Sequence, residues 1–156
     1  MFVIIATPED AKAIVSILVS IGWHDDINNN PESTEKLIND HLQKSILSDK
    51  NVTSVFVVIK DGVIVGYATL YWMTYYTSYP FDELEGYISE FYIHNEFQNK
   101  GIGSYLLDEL KKIARSKGCS KLTLISVKNR QSYTFYKNKN WEERPDLIEF
   151  DCPLEK

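Results

Sequence analysis

Cysteine and histidine are scarce in this chain: two cysteines, Cys119 and Cys152, and three histidines, His24, His41 and His94, in 156 residues. None of them stands at a metal-ligand spacing, so neither a zinc site nor a disulfide framework is expected, and no metal is assigned. Positive charge is also in deficit, with 17 Lys and Arg against 22 Asp and Glu and a formal net charge of -5. A protein that neutralises a nucleic-acid backbone needs a cationic face, so nucleic acid is excluded as a general partner and a basic one is easier to accommodate. No apolar run approaches membrane-spanning length, and the short apolar stretch Met1 to Ala6 runs straight into Pro8-Glu9-Asp10, unlike a signal peptide. The expectation is a cytoplasmic protein with no membrane partner, in which Asn51-Val52-Thr53 matches a glycosylation acceptor by coincidence. There is no internal repeat, linker or low-complexity tract, and a chain of this length fits one domain over 1–156 that buries about two thirds of its unfolded surface.

What is present reads as alternating strands and helices. Phe2 to Ala6 is a first strand; Thr7 caps a helix with Pro8 at its first position and Ile14, Leu18 and Ile21 spaced for burial, and Gly22 ends it. Asn30-Pro31-Glu32 opens a second helix with Leu37, Ile38, Leu42 and Ile46 at helical spacing. Val52 to Lys60 and Val63 to Met73 are strands joined by Asp61-Gly62, a two-residue hairpin signal. Ile88 to Ile93 continues the sheet. A helix from Gly101 to Lys117 follows with Ile102, Leu106, Leu110 and Ile113 inward and Gly118 as its stop. Lys121 to Val127 is the next strand, parallel to the preceding one because strand-helix-strand crossovers are right-handed. Tyr133 to Lys139 is a short helix and Leu147 to Asp151 a closing edge strand.

Between the strand ending at Ile93 and the helix lies Gln98-Asn99-Lys100-Gly101-Ile102-Gly103. Gly101 and Gly103 let the main chain approach a ligand closely, and first-turn amides, together with the helix dipole, favour an anion such as a phosphate. The same glycines could equally do no more than shape a strand-to-helix turn. Downstream stand Asn129-Arg130-Gln131-Ser132-Tyr133-Thr134-Phe135-Tyr136 and Asn140-Trp141. Together these segments resemble the GCN5-related N-acetyltransferase family, in which the glycine loop holds the pyrophosphate of acetyl-coenzyme A and an N-x-x-A-x-x-F-Y helix, then a glycine and an aromatic residue, complete the cofactor side. Ser132 stands for the alanine, Asn140 for the glycine and Trp141 for the aromatic. Asparagine is the non-glycine residue that best tolerates a left-handed helix end.

The resemblance implies an α/β (α+β) fold: a mixed, mostly antiparallel sheet of about six or seven strands with a central, splayed parallel pair and about four helices. It implies acetyl-coenzyme A as co-substrate, with the pantetheine arm along Phe91, Tyr92 and Ile93 and the phosphates at Gln98, Asn99, Lys100, Gly101, Ile102, Gly103 and Ser104. It further implies an arm contact at Asn129, which is alternatively a helix cap, an oxyanion donor in the amide of Ile93, and a general acid in Tyr136, alternatively a packing aromatic. Glu90 is the candidate base, directly or through water; a water chain, or a solvated carboxylate without a role, is the other reading. Asp82 and Glu85 are reserves.

For the acceptor, Tyr71 to Glu85 sets aromatic rings beside carboxylates, a mixture that suits a cation. Asp26, Tyr75, Tyr76, Asp82, Glu85 and Ser89 are the candidate acceptor residues and a polyamine-like amine the leading guest. The segment is loosely similar to diamine acetyltransferases, although Ser89 stands where those carry an acidic residue. Protein N-termini or lysines, amino acids, aminoglycosides, and a sensor that holds acetyl-coenzyme A without turnover remain alternatives. Relatives suggest a homodimer.

Overall fold

The computed structural model describes residues 1–22, 30–47, 52–76 and 82–146. Their contacts group into two units, Met1–Leu124 and Ile125–Lys156.

In the first unit, five strands run β1 (Phe2–Ile5), β2 (Thr53–Lys60), β3 (Val63–Tyr76), β4 (Asp82–Ile93) and β5 (Lys121–Thr123), in the order β1-β2-β3-β4-β5. The first three neighbour pairs are antiparallel and β4–β5 is parallel. Helices α1 (Ala11–Ser20), α2 (Pro31–Leu47) and α3 (Ile102–Ser116) belong to this unit. The mixed sheet and its parallel pair are as expected, but the sheet has five strands among the described residues instead of six or seven. Leu147 to Asp151 lies outside the described residues, and β5 is the edge of the described sheet.

Local chemistry accounts for several boundaries. Asp61 and Gly62 both take left-handed φ, 51° and 79°, as a tight hairpin requires, and Gly22 and Gly118 end α1 and α3 at φ 68° and 82°. The Asp10 carboxylate accepts from the Thr7 amide at 2.7 Å, closing the first helical turn. β3 and β4 are longer than periodicity predicts: Thr74–Tyr76 and Asp82–Tyr87, expected outside the strands, belong to the ladder, which runs on through Thr74↔Leu84 to Tyr76↔Asp82. Conversely, the strand expected over Lys121 to Val127 stops at Thr123, and Ile125 and Val127 are exposed. β-branched residues favour an extended backbone, yet a strand also needs a ladder partner, and that depends on the neighbour.

One sheet face receives Ile14, Ile17 and Leu18 of α1 and Leu42 of α2, packed with Val55, Val57 and Tyr67. Fully burying such aliphatic side chains contributes about 1.5–3 kcal/mol apiece. The other face carries α3, whose Leu106, Leu107 and Leu110 are fully buried. Its apolar stripe is centred slightly off the predicted one, with Leu107 and Ala114 buried and Ile113 only half-buried. In α2, Leu37 is 67% exposed, against the expectation of burial.

The β3–β4 ladder carries a bulge. Thr69 pairs with Glu90 and Leu70 with Ile88, so Ser89 is the extra residue. Opposed residues share a face, so Glu90 lies with Thr69 on the α1–α2 side while Ile88 lies with Leu70 on the α3 side.

The second unit holds helix α4 (Gln131–Lys137). Asn140 closes the turn after it at φ 58°, the left-handed role expected of it, and the Trp141 amide donates to the Tyr136 carbonyl at 3.2 Å. The Glu143 carboxylate gathers the Tyr133 hydroxyl at 3.0 Å and Lys128 Nζ at 2.9 Å, and these hydrogen bonds hold it below the usual carboxylate range.

Candidate active site

Gly101 is the N-cap of α3 and has φ 80°, a conformation that L side chains rarely adopt, while Asn99 just before it has φ 58°. The first intrahelical bond runs from the Tyr105 amide to the Gly101 carbonyl at 3.0 Å, so the amides of Ile102, Gly103 and Ser104 precede the helical ladder. A Cβ at Gly101 would meet nothing within 4 Å, which leaves the backbone open for close approach. Lys100 Nζ stands 5.5 Å from the centre of the Phe97 ring. Gln98 braces the loop from behind: its Nε2 donates to the Ile93 carbonyl and to Asn95 Oδ1, both at 3.0 Å. Asn95 is in turn tied to the end of α1, its amide donating to Ser20 Oγ at 3.2 Å and its side-chain amide to the Ser20 carbonyl. The loop before α3 is thus anchored by Gln98 and Asn95, and the amides of Ile102, Gly103 and Ser104 stand at a helix N-terminus, where the dipole favours an anion.

Phe91, Tyr92 and Ile93 form the end of β4. The parallel ladder to β5 covers only Glu85↔Lys121, Gly86↔Leu122 and Tyr87↔Thr123, and β4 runs on to Ile93 past it.

A cavity of about 440 Å³ opens between α1, α2 and the sheet. Glu90 and Ser89 line it from β4, Thr69 and Tyr71 from β3, and Thr34 and His41 from α2. Thr69 Oγ1 donates to Glu90 Oε2 at 2.6 Å, and the Tyr67 hydroxyl lies 3.5 Å from Glu90 Oε1. Burial, and next the Glu90 charge, push the Tyr67 phenol well up, so it stays protonated throughout the ordinary pH range. Ser89 Oγ donates to the Thr69 carbonyl at 3.3 Å. The site thus presents one half-buried carboxylate, fixed by a buried threonine, to a space of ligand size.

Of the acceptor candidates, Ser89 lines the cavity. Glu85 is buried and bound to Lys121 Nζ at 2.6 Å. Asp26 lies outside the described residues, as do the side chains of Tyr75, Tyr76 and Asp82. Tyr136 packs its ring against Phe135 and Trp141, with centroids 5.1 and 5.5 Å away. Asn129 is in the turn before α4, and the N-cap is Arg130, without a side-chain cap bond, so Asn129 is not the cap. Sequence reasoning missed His41, Thr34, Tyr67 and Thr69. The signals for them were the spacing of His41 and Thr34 on the face of Ile38, and the two-residue period of Tyr67, Thr69 and Tyr71.

The acetyltransferase (GNAT) family model matches residues 19–140. The chain belongs to this family. It is an acyltransferase, and enzymes of the family use acetyl-coenzyme A as co-substrate. A curated relative, aminoglycoside N(6')-acetyltransferase type 1 of Stenotrophomonas maltophilia, is 26% identical over 151 residues, covering 96% of this chain and 92% of its own. Among solved structures, an aminoglycoside acetyltransferase from an uncultured soil metagenomic sample, in complex with trehalose, superposes with TM-score 0.72 at 23% identity, over 99% of this chain and 96% of that one. A ribosomal-protein-alanine N-acetyltransferase from Brucella melitensis superposes with TM-score 0.73 at 16% identity, over 99% and 100%. Neighbours named for such different acceptors share this GNAT fold, so the fold alone does not name the acceptor. Among the described residues of this GNAT chain no group of side chains could hold a metal ion, and no helix is long and apolar enough to cross a membrane.

Proposed function

We propose that this protein transfers an acetyl group from acetyl-coenzyme A to the primary amine of a small acceptor by direct attack in a ternary complex. The observation that carries this reading is Glu90, held by Thr69 at 2.6 Å on the wall of the cavity. Acetyl-coenzyme A supplies an activated thioester; the α3 N-terminus from Gly101 to Ser104 would hold its phosphates, and Phe91 to Ile93 with Asn129 its arm.

Aminolysis needs a neutral amine, a donor for the carbonyl oxygen and a proton for the departing sulfur. Glu90 takes the proton from the bound ammonium, directly or through water. The Ile93 amide donates to the developing oxyanion. Tyr136 gives its phenol proton to sulfur. The last two assignments rest on the family resemblance.

A polyamine-like acceptor would draw on Asp26, Tyr75, Tyr76, Asp82, Glu85 and Ser89. Glu85 is engaged by Lys121, and Glu90 is left as the carboxylate lining the cavity among the described residues. The second reading is an aminoglycoside, favoured by the names of the curated relative and the soil structure.

The test is Glu90→Gln in a thiol-release assay across polyamines, aminoglycosides, amino acids, simple amines and peptides. A fall in turnover of about a hundredfold, with coenzyme A affinity retained by calorimetry, is expected for loss of a general base. Undiminished turnover removes Glu90 from the mechanism.

A further inference from the structure

The walls of the cavity narrow the acceptor further, and this step rests on the acetyl-transfer reading just given. Besides Glu90, the cavity is lined by the aliphatic Ile14 and Leu18 from α1, Leu37, Ile38 and Leu42 from α2, and Val55 from β2. Tyr67 and Tyr71 add ring surface. Among the described lining residues Glu90 is the single carboxylate, and none is a lysine or arginine. Among the described lining residues the chemistry is therefore one fixed anion beside aliphatic and aromatic surface.

We infer that the acceptor is a primary amine with a single positive charge and an apolar body, an alkyl- or arylalkylamine, in preference to a polyamine or an aminoglycoside. Its ammonium meets Glu90 Oε1, whose bond from the Tyr67 hydroxyl is long at 3.5 Å, whereas Oε2 accepts from Thr69 at 2.6 Å. Its hydrocarbon body leaves water for the aliphatic wall, where each methylene adds to binding. Among the described lining residues a second ammonium finds no counter-charge, so its burial there would carry an uncompensated desolvation cost. A second ammonium trailing from the mouth gains nothing from these walls. An aminoglycoside ring would in addition turn hydroxyls toward leucine and isoleucine, with only Thr34 and His41 to receive them on the helical side.

Hexylamine and cadaverine are nearly the same length and differ by one terminal ammonium, so they isolate this variable. The full chain is assayed by thiol release with butylamine, hexylamine, phenethylamine, cadaverine, spermidine and kanamycin, and amine binding is measured by calorimetry. The expected result is that hexylamine exceeds cadaverine in kcat/KM by tenfold or more. From butylamine to hexylamine, affinity should rise about fourfold per methylene. Cadaverine, spermidine or kanamycin equalling hexylamine would overturn the inference while leaving acetyl transfer intact. Binding of coenzyme A with no turnover of any amine would overturn the acetyl-transfer reading and this one with it. Leu37→Asp, at an exposed position on the rim, supplies a second carboxylate without disturbing the core. It should raise the cadaverine-to-hexylamine ratio about threefold; an unchanged ratio means the acceptor does not lie along α2, and the inference fails.

Discussion

Thr69 and Glu90 face each other across the β3–β4 ladder, and the threonine hydroxyl donates to the carboxylate at 2.6 Å from a position only 1% exposed. A buried donor on a short, charge-assisted bond fixes Glu90 Oε2, while Oε1 takes the longer 3.5 Å bond from the Tyr67 hydroxyl. Thr69→Val removes the donor at nearly constant volume. We expect kcat/KM for the amine to fall about tenfold, the equivalent of about 1.5 kcal/mol for a hydrogen bond to a charged group. Thr69→Ser should recover most of it, and coenzyme A affinity should not move. In the Glu90→Gln background, Thr69→Val should cost little more, because the partner is already altered. Full additivity in that double-mutant cycle would show that the two residues act independently.

Tyr136 packs between Phe135 and Trp141, so its ring position is fixed by stacking as well as by α4. Tyr136→Phe keeps the ring and removes the proton. Turnover should drop by about two orders of magnitude, with coenzyme A bound as before. Wild-type turnover in single-turnover and steady-state assays would assign the ring to packing alone.

Gly101 has open space where a Cβ would be, so substitution there does not clash with the protein itself. The cost of Gly101→Glu comes from φ 80°, worth about 1–2 kcal/mol for a non-glycine residue, and from a negative charge at an anion-binding helix end. Calorimetry should show loss of coenzyme A binding in a chain that still folds by circular dichroism. Retained affinity would mean that the phosphates lie elsewhere.

The ion pair of Glu85 and Lys121 is lopsided, the carboxylate side chain 8% exposed and the lysine side chain 47%. Lys121→Met strands a buried charge and should destabilise by about 3 kcal/mol, whereas Glu85→Gln releases a lysine that can turn to water and should cost less. Denaturant melts of the two variants measure the difference. Equal losses would show that the pair, not the burial of one partner, sets the cost.

The amino-acid order alone determined the features that rest on local chemistry. Asp61-Gly62 makes its hairpin because both residues tolerate positive φ, and Asn140 ends its turn at φ 58° for the same reason. The α3 loop follows from its glycine and its orphan amides, and the crossover to β5 from chirality. These are interactions within a few residues, where spacing carries the whole cause.

The face on which Glu90 lies was decided only in three dimensions. Strict alternation sets Ile88 and Glu90 on one side of β4; the bulge at Ser89 separates them, giving Ile88 to the α3 face and Glu90 to the cavity. No short-range pattern marks that bulge, because it arises from fitting β4 against β3. Tertiary structure likewise left Leu37 exposed at the rim, bound Glu85 to Lys121, and ended β5 at Thr123. Each of these outcomes depends on a partner far away in the chain, and burial, pairing and strand length are properties of the neighbour as much as of the residue.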